Sequence, residues 1–450
     1  MSGPLMFHGG ETDMDNENRT GGGAATTGAL ALDARPGPVA FLLYGIQWWV
    51  VSVPCLIILG VVVSRLHYND AGTQIIYMRK LFALTGAAMA AQVLFGHRLP
   101  LVIGPASTLL VGIVASLAEG AAAIHTAILI GGALLALAGF SGLLGRLRRF
   151  FTPRIIAVVL MLIPFTLAPT IIKLTFSKPI GVEGPAFPPC FTVAATFALL
   201  IANQVLRGMA KAMTVLLGLA GGSLVYFLAA GLPSLPDSGT GQNAPLITPL
   251  EFHPGTVVAF LFCFFALAIN EIGSIESIGH MLKVGDMDRR IRNGTGLTGI
   301  ANMAAGGLGV IGPVDFSLSA GVIAATGCAA RLTMVPAGVG LAACAFFPGL
   351  VAFLVAIPGP VMGALLLYLM ATQLAGGLAM LGGGATDFTG GVTVGIPVML
   401  ALTIAFAPAG ALDAFPQLLR PVIGNGFVMG TLAVVFLEHG VFRPKQQPPT

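Results

Sequence analysis

Apolar residues fill the chain from Pro38 onward in long runs that short polar breaks separate. A helix that crosses a membrane needs about 20 consecutive apolar residues. The pattern therefore predicts about fourteen membrane-spanning segments, several of them short or interrupted by Gly and Pro. These predicted segments cover residues 39–64, 78–96, 100–117, 122–144, 154–173, 190–207, 212–232, 255–280, 294–311, 315–329, 333–356, 360–381, 389–409 and 420–440.

A repeated motif indicates an internal duplication. The sequence Val-Ile-Gly-Pro stands at 102–105 and again at 310–313, and Pro153 and Pro360 open apolar segments at nearly the same offset. A duplication of seven segments inserts its second copy upside down, because seven is odd. The chain is thus predicted to be an all-α polytopic membrane protein of two inverted seven-segment repeats, residues 38–235 and 236–441.

The repeated motif also predicts where the site lies. Proline lacks an N–H and glycine loosens a helix, so both motifs break their segments. Freed backbone groups are tolerated at membrane depth only against protein or a water-filled cavity. Residues 104–107 and 312–317 are therefore candidate cavity walls, and two packing kinks are the alternative.

The ends of the chain are polar. Residues 1–37 lack the composition of a folded core and the order of a cleavable signal peptide, which predicts a disordered tail followed by an uncleaved signal anchor. Most Lys and Arg fall on one side of the membrane when the N-terminus is cytoplasmic. We therefore expect an integral protein of the plasma (bacterial inner) membrane with both tails, 1–37 and 442–450, in the cytoplasm.

Composition narrows the class. Of the 450 residues, 56% are hydrophobic and 9% are charged, against about 25% charged in soluble domains. This excludes a disordered chain, a nucleic-acid-binding domain and an ordinary soluble enzyme. The five cysteines and seven histidines show no spacing of a metal site or a nucleophile–base pair. We expect no enzyme activity, no cofactor and no structural disulfide.

Three acidic residues lie where charge is costly. Glu271 closes a long apolar run, Glu276 follows five residues later, and Asp315 follows the second broken motif. A charge at the bilayer centre costs at least about 2.5–3.5 kcal/mol, so such residues usually face an interior cavity. Glu271 and Glu276 are candidate proton carriers. The alternatives are a structural hydrogen bond for Glu271, a solvated helix end for Glu276 and a helix cap for Asp315.

The first apolar segment contains Gln47 and Trp48. An amide offers two donors and an acceptor, which can read the edge of a heterocycle, and an indole can stack on a planar ligand. An interhelical hydrogen bond and an interfacial anchor are the respective alternatives.

Four groups of residues share the pattern of one transporter family. They are Tyr44-Gly45-Ile46-Gln47, Arg98-Leu99-Pro100 with Gly104, Asn270 to Ser274, and Phe316 to Val322 with Thr326-Gly327 and Arg331. Through them residues 39–440 resemble the nucleobase–cation symporter family, which includes bacterial uracil and xanthine permeases and nucleobase–ascorbate transporters.

The resemblance implies that segments 3 and 10 begin as short strands. Segments 1–4 and 8–11 would form a mobile core domain, and segments 5–7 and 12–14 a gate domain with a homodimer contact. Substrate would lie between the strands and segment 8. The family couples uptake to protons or, in some members, to sodium.

The chain departs from the family pattern at the predicted site. Trp48 stands where the family usually has His, Leu318 where it has Glu or Gln, and Ser319 where it has Asn. The Glu or Gln contacts the base in known members, and Leu318 cannot make that bond. Asp315 is a candidate substitute for the missing carboxylate.

The glutamate of segment 8 has three alignments in this chain. Spacing from the preceding apolar run or from Gly273 puts it on Asn270 or Glu271, whereas the pattern Glu-x-Ile-Gly-His puts it on Glu276 with His280. We favour Glu271 because it lies at membrane depth.

Together these features predict proton-coupled uptake of a nucleobase, xanthine- or uracil-like, by elevator-type alternating access. The alternative is an anion transporter of the related sulfate/bicarbonate carrier fold, which the lack of Lys or Arg in the core disfavours. The predicted substrate-binding residues are Gln47, Trp48, Ser107, Glu271, Asp315, Phe316 and Ser317, and the predicted proton-coupling residues are Glu271 and Glu276.

Overall fold

The fold is known from a computed structural model of the chain. It describes residues 30–144, 152–177, 186–207, 210, 213–231, 245–316, 319, 322–323, 327–381, 388–408, 411, 415–416 and 419–442. In chain order its main elements are α1 (Pro38–His67), α2 (Ala71–Leu94), β1 (Val102–Pro105), α3 (Ser107–Ala115), α4 (Gly120–Phe140), α5 (Pro153–Thr175), α6 (Phe187–Val205), α7 (Thr214–Ala230), α8 (Pro254–Met281), α9 (Met287–Leu308), β2 (Pro313–Phe316), α10 (Met334–Cys344), α11 (Pro348–Val355), α12 (Gly359–Leu381), α13 (Phe388–Ala405), α14 (Arg420–Ile423) and α15 (Gly426–Phe436).

Fewer helices meet the criteria for a membrane span than the fourteen segments predicted. Within the described ranges seven are long and apolar enough, or eight if α10 and α11, bent by 85° at their junction, form one span. Two of the other predicted segments correspond to α2 and α9, which have 24 and 22 residues but too little apolar character. Others are short because a break divides them, as at α3. The chain is a mostly helical integral membrane protein.

Side chains cap several helices at their first turn. Asp70 accepts a hydrogen bond from Thr73 N at the start of α2, Thr152 from Ile155 N at α5, and Asn425 from Phe427 N at α15. The first N–H groups of a helix have no partner within the helix, so these caps satisfy donors that would otherwise lack one.

The two broken segments meet as an antiparallel pair of strands. β1 pairs with β2 in a register that sets Val102 opposite Phe316 and Pro105 opposite Pro313. The two prolines hold equivalent positions in the repeated motif, so the repeat axis passes close to this pair. The short strands that the resemblance implied in segments 3 and 10 are confirmed.

Small residues bring α9 against α4. An added Cβ would lie 2.2 Å from Ala136 N at Gly299, 2.5 Å from Leu129 N at Gly306 and 2.6 Å from Met303 N at Gly132. Cβ atoms do not approach backbone that closely, so only glycine permits this packing. Close backbone approach through small residues is how helices associate in membranes. α9 is therefore enclosed in the protein despite its modest apolar character.

The end of the predicted N-terminal tail is paired with the body of the protein. Leu30 N donates to Gly327 O (2.9 Å), Ala329 N donates to Leu30 O (3.0 Å), and Arg331 N donates to Leu32 O (3.0 Å). The tail prediction for residues 1–37 is therefore wrong for residues 30–33. Composition cannot indicate this pairing, because the pairing uses backbone N–H and C=O groups, which every residue type except proline carries in full. Residues 1–29 lie outside the described part.

Candidate functional site

Glu271 lies deep within a continuous helix. α8 stays helical from Pro254 to Met281, so it does not unwind at Gly273. Glu271 is fully buried. It lies ten residues before the helix end at Met281, about 15 Å along the axis at 1.5 Å per residue. That is about half the thickness of a hydrocarbon core, a depth at which a carboxylate needs specific partners.

Both oxygens of Glu271 accept hydrogen bonds. Thr298 Oγ1 donates to Oε1 (2.5 Å), and the backbone N–H of Asp315 donates to Oε2 (2.9 Å). One turn along α8, Ser274 Oγ donates to the carbonyl of Asp315 (3.0 Å). α8 thus holds both backbone polar groups of Asp315, which fixes the strand β2 against the helix.

A chain of donors supports Glu271 from behind. Gln92 Nε2 donates to Thr298 Oγ1 (2.7 Å) and to Gly294 O (2.9 Å). Asn302 Nδ2 donates to Thr298 O (2.8 Å) and to Pro313 O (2.9 Å). These amides link α2, α9 and β2, and they leave the hydroxyl hydrogen of Thr298 free to point at Glu271.

The side chain of Asp315 faces His97, which stands between α2 and β1. Both side chains are fully buried, and His97 Nε2 lies 3.2 Å from Asp315 Oδ2. Leu99 N donates to His97 Nδ1 (2.9 Å). Arg98 adopts a left-handed conformation at φ 56°, and Arg290 Nη1 donates to the carbonyls of His97 (2.9 Å) and Arg98 (3.0 Å). The turn that presents His97 is thus held from α9.

Two predicted residues of α1 have buried polar atoms without partners. Gln47 is 7% exposed and Trp48 is fully buried. Neither Gln47 Nε2 nor Trp48 Nε1 has a hydrogen-bond partner in the described part of the chain. A buried donor without a partner costs about 1–3 kcal/mol, so both are candidates for binding a ligand. α1 packs against β1, which brings this helix to the strand pair.

The other predicted residues take different positions. Ser107 is the first residue of α3 and is partly exposed, and Phe316 ends β2. Glu276 is partly exposed, further along α8 than Glu271. Ser317 and Leu318 lie outside the described residues. The structure therefore brings Glu271, Asp315 and Phe316 to one place, and Glu276 lies away from that burial.

The structure adds residues that the sequence reasoning did not single out. Gln92, His97, Thr298 and Asn302 are 0–3% exposed and connect to Glu271 or Asp315. Thr298 and Asn302 are four residues apart on α9, the spacing of one helix face. A polar pair at this spacing in a glycine-rich segment is a signal that could have indicated them. His97 gives no such signal, because it lies between segments.

The arrangement offers hydrogen-bonding groups to a polar ligand. Within the described ranges no three His, Cys, Asp or Glu side chains gather as a metal site requires. Two buried carboxylates, a histidine and unpaired amide and indole donors can instead exchange hydrogen bonds with a neutral polar molecule.

Two broken segments that cross as strands beside a buried carboxylate are typical of helical membrane transporters with inverted repeats. The fold agrees with this class. It is similar to the transmembrane domain of a cyanobacterial bicarbonate transporter, BicA, with a TM-score of 0.59 at 15% identity over 81% of this chain and 95% of that one. A family model for xanthine and uracil permeases, described as a permease family, matches residues 40–410. The chain belongs to the xanthine/uracil permease family.

Individual relatives agree. The nucleobase transporter PlUacP of Paenibacillus larvae is 26% identical over 405 residues, which cover 84% of this chain and 89% of that one. The xanthine permease of Bacillus subtilis is 27% identical over 364 residues, 76% of this chain and 80% of that one. The protein is therefore a permease and not an enzyme.

Proposed function

We propose that the protein takes up a nucleobase, a xanthine- or uracil-like purine or pyrimidine, together with protons. The observation that carries the proposal is the buried Glu271 at the strand pair, whose oxygens both face donors. Family membership and the relatives named above for nucleobase and xanthine transport support the substrate class. Sodium is the alternative coupling ion.

The proposed contacts follow from the free hydrogen-bonding capacity of the site. A carboxylate has about four acceptor positions, so Glu271 can take two ring N–H groups in addition to its two protein donors. Gln47 Nε2 is unpartnered and can donate to a carbonyl oxygen of the base. Trp48 and Phe316 would supply apolar faces, and Ser107 and Ser317 further polar contacts.

The charges of the site favour a nucleobase over an anion. Glu271 and Asp315 are both fully buried, and an anion beside them would meet repulsion in a medium that screens charge poorly. The nearby Arg290 directs its guanidinium at the backbone carbonyls of His97 and Arg98. The similarity to the bicarbonate transporter BicA concerns the fold and does not indicate an anion as the substrate.

The proposed mechanism is an elevator motion. Segments 1–4 and 8–11 would move as a core domain against a gate domain of segments 5–7 and 12–14, within repeats at 38–235 and 236–441.

We further propose a homodimer in the plasma (bacterial inner) membrane with both termini cytoplasmic. An apolar groove between α6, α7 and α12, lined by Phe191, Leu217 and Val361 among others, is the face we assign to the second copy. Cross-linking across this face in native membranes tests the dimer.

Thermal stabilisation and counterflow test the function. Purified protein is heated with xanthine, uric acid, uracil, guanine, bicarbonate or sulfate, since a ligand that binds only the folded state raises the melting temperature. The nucleobase that stabilises is then tested in proteoliposomes for counterflow and for accumulation driven by an inward proton gradient. We expect one nucleobase to pass all three tests and bicarbonate and sulfate to pass none.

Glu271→Gln is the matched variant. It keeps the size of the side chain but turns one acceptor into a donor, so we expect it to lose nucleobase stabilisation and counterflow together. Asp288→Asn, at an exposed position on α9, is the control and should behave as the unmodified protein. Stabilisation by an anion alone, with no nucleobase effect, would contradict the proposal.

A further inference from the structure

We propose that Asp315, paired with His97, carries the coupling proton, while Glu271 stays an ionised hydrogen-bond acceptor. This inference rests on the proposed proton coupling. It assigns to Asp315 the role of proton carrier, which the sequence pattern predicted for Glu271 and Glu276. The hydrogen bonds that Glu271 accepts, and the unpartnered carboxylate oxygens of Asp315, carry it.

All described partners of Glu271 are donors. The amide N–H of Asp315 can only donate, so Oε2 must accept. Thr298 Oγ1 already accepts from Gln92 Nε2, whose orientation is set by its second bond to the carbonyl of Gly294. The hydroxyl of Thr298 therefore directs its hydrogen at Glu271 Oε1. A proton added to Glu271 would occupy one of its two remaining acceptor positions, which the N–H groups of the proposed substrate need.

The orientation of His97 follows from its backbone contact. Leu99 N donates to Nδ1 at 2.9 Å, so Nδ1 carries a lone pair. The ring hydrogen of the neutral imidazole is then on Nε2, the nitrogen that lies 3.2 Å from Asp315 Oδ2. A second proton on His97 would have to go to Nδ1, which the N–H of Leu99 blocks. His97 thus stays neutral beside Asp315, and Nε2 and Oδ2 lie close together without the geometry of a hydrogen bond.

Asp315 is the acid with room for a proton. Neither Oδ1 nor Oδ2 has a hydrogen-bond partner in the described part of the chain. The titratable or charged groups around it are Glu271 on α8, His97 before β1, and Arg290 on α9, which binds the carbonyl of His97. When a proton binds Oδ1, no bond of the network breaks. Protonation removes one of the two negative charges of Glu271 and Asp315, which eases movement of the core domain through the membrane.

Infrared difference spectroscopy tests the assignment without substrate. On acidification the unmodified protein should show the carbonyl band of a newly protonated buried carboxyl. We expect Glu271→Gln and the exposed control Asp288→Asn to keep this band and Asp315→Asn to lose it. Asp315→Asn retains the backbone N–H and the size of the side chain, and its folding is checked by melting temperature. A band that persists in Asp315→Asn, or none in the unmodified protein, overturns the inference.

Transport separates this inference from the proposed function. Asp315→Asn should lose accumulation driven by a proton gradient about 10-fold more than it loses counterflow of the nucleobase, each relative to the unmodified protein. Full gradient-driven accumulation in this variant overturns the assignment and leaves nucleobase transport standing. If the unmodified protein moves no nucleobase, the proposed function fails, and the infrared result alone decides which residue binds the proton.

Discussion

Gly104 on β1 lies against the aromatic ring of Phe316 on β2. A Cβ added at Gly104 would come within 2.5 Å of Phe316 Cε2 and 3.0 Å of its Cζ. The ring therefore occupies the space that a side chain at this strand position would take. Phe316 is partly exposed, so its packing against Gly104 sets how the ring is presented at the predicted substrate side of the strand pair.

Gly104→Ala should displace Phe316 and weaken nucleobase binding. Overpacking a close contact costs about 1–3 kcal/mol, which corresponds to about 5- to 150-fold in affinity if the strain falls on the bound state. Thermal stabilisation by the nucleobase measures the change. Gly395→Ala on α13, where an added Cβ meets nothing within 4 Å, is the control. Equal ligand responses in the two variants would contradict the role of this contact.

Thr298→Val should reduce nucleobase affinity by about 10- to 150-fold, because a valine of the same shape cannot donate to Glu271. Loss of a donor to a buried charged group costs about 1.5–3 kcal/mol. Titration of the melting temperature with substrate measures the effect. The matched control is Thr295→Val, one turn earlier on α9, whose hydroxyl donates to Ile291 O within its own helix (2.7 Å). This prediction fails if both variants bind equally well.

Much of the fold could be predicted because its physical causes are visible in the sequence. The repeated Val-Ile-Gly-Pro marks the two breaks, and the family resemblance implied the strands that form there. Glu271 could be found because a carboxylate ends an uninterrupted apolar run. Hydropathy alone does not identify α9 as a helix enclosed in the membrane protein. Its small residues pack on α4, and its polar residues Thr298 and Asn302 form hydrogen bonds at the site.

The pairing of His97 with Asp315 could not be predicted. It depends on the register of β1 with β2 and on the left-handed turn at Arg98, and both are set by contacts between distant parts of the chain. Composition likewise could not show that Leu30 and Leu32 pair with residues 327–331. Such contacts use geometry that local patterns do not carry.

Acid should loosen the start of α2 at Asp70. The hydroxyl and backbone N–H of Thr73 both donate to Asp70 Oδ2 (2.8 and 2.7 Å), and these bonds hold the pKa of this exposed carboxyl below its usual value. A folded-state pKa below the unfolded one means that the cap stabilises fully above the unfolded value and that this contribution is lost as pH falls through the folded value. Hydrogen exchange at residues 71–75 should therefore accelerate below about pH 4, relative to its intrinsic pH dependence.

Asp70→Asn provides the comparison for this pH dependence. Asparagine caps helices about as well as aspartate does, but it does not titrate. Protection of residues 71–75 in this variant should stay constant across the same pH range. A parallel acid response in both proteins would assign the loosening to another group.

Arg79 should matter for stability more than for binding. Its Nε donates to Ala345 O (2.6 Å), just beyond the end of α10, where the chain bends by 85° into α11. The last carbonyls of a helix lack partners within it, so this bond supports the break. Arg79→Met keeps the length of the side chain and removes the donor. We expect a lower melting temperature, with a loss of about 1–3 kcal/mol, and a substrate-induced shift of unchanged size. Arg289→Met, at an exposed position of α9, is the control and should melt as the unmodified protein does. A variant at Arg79 that keeps its melting temperature would show that the bend holds without this hydrogen bond.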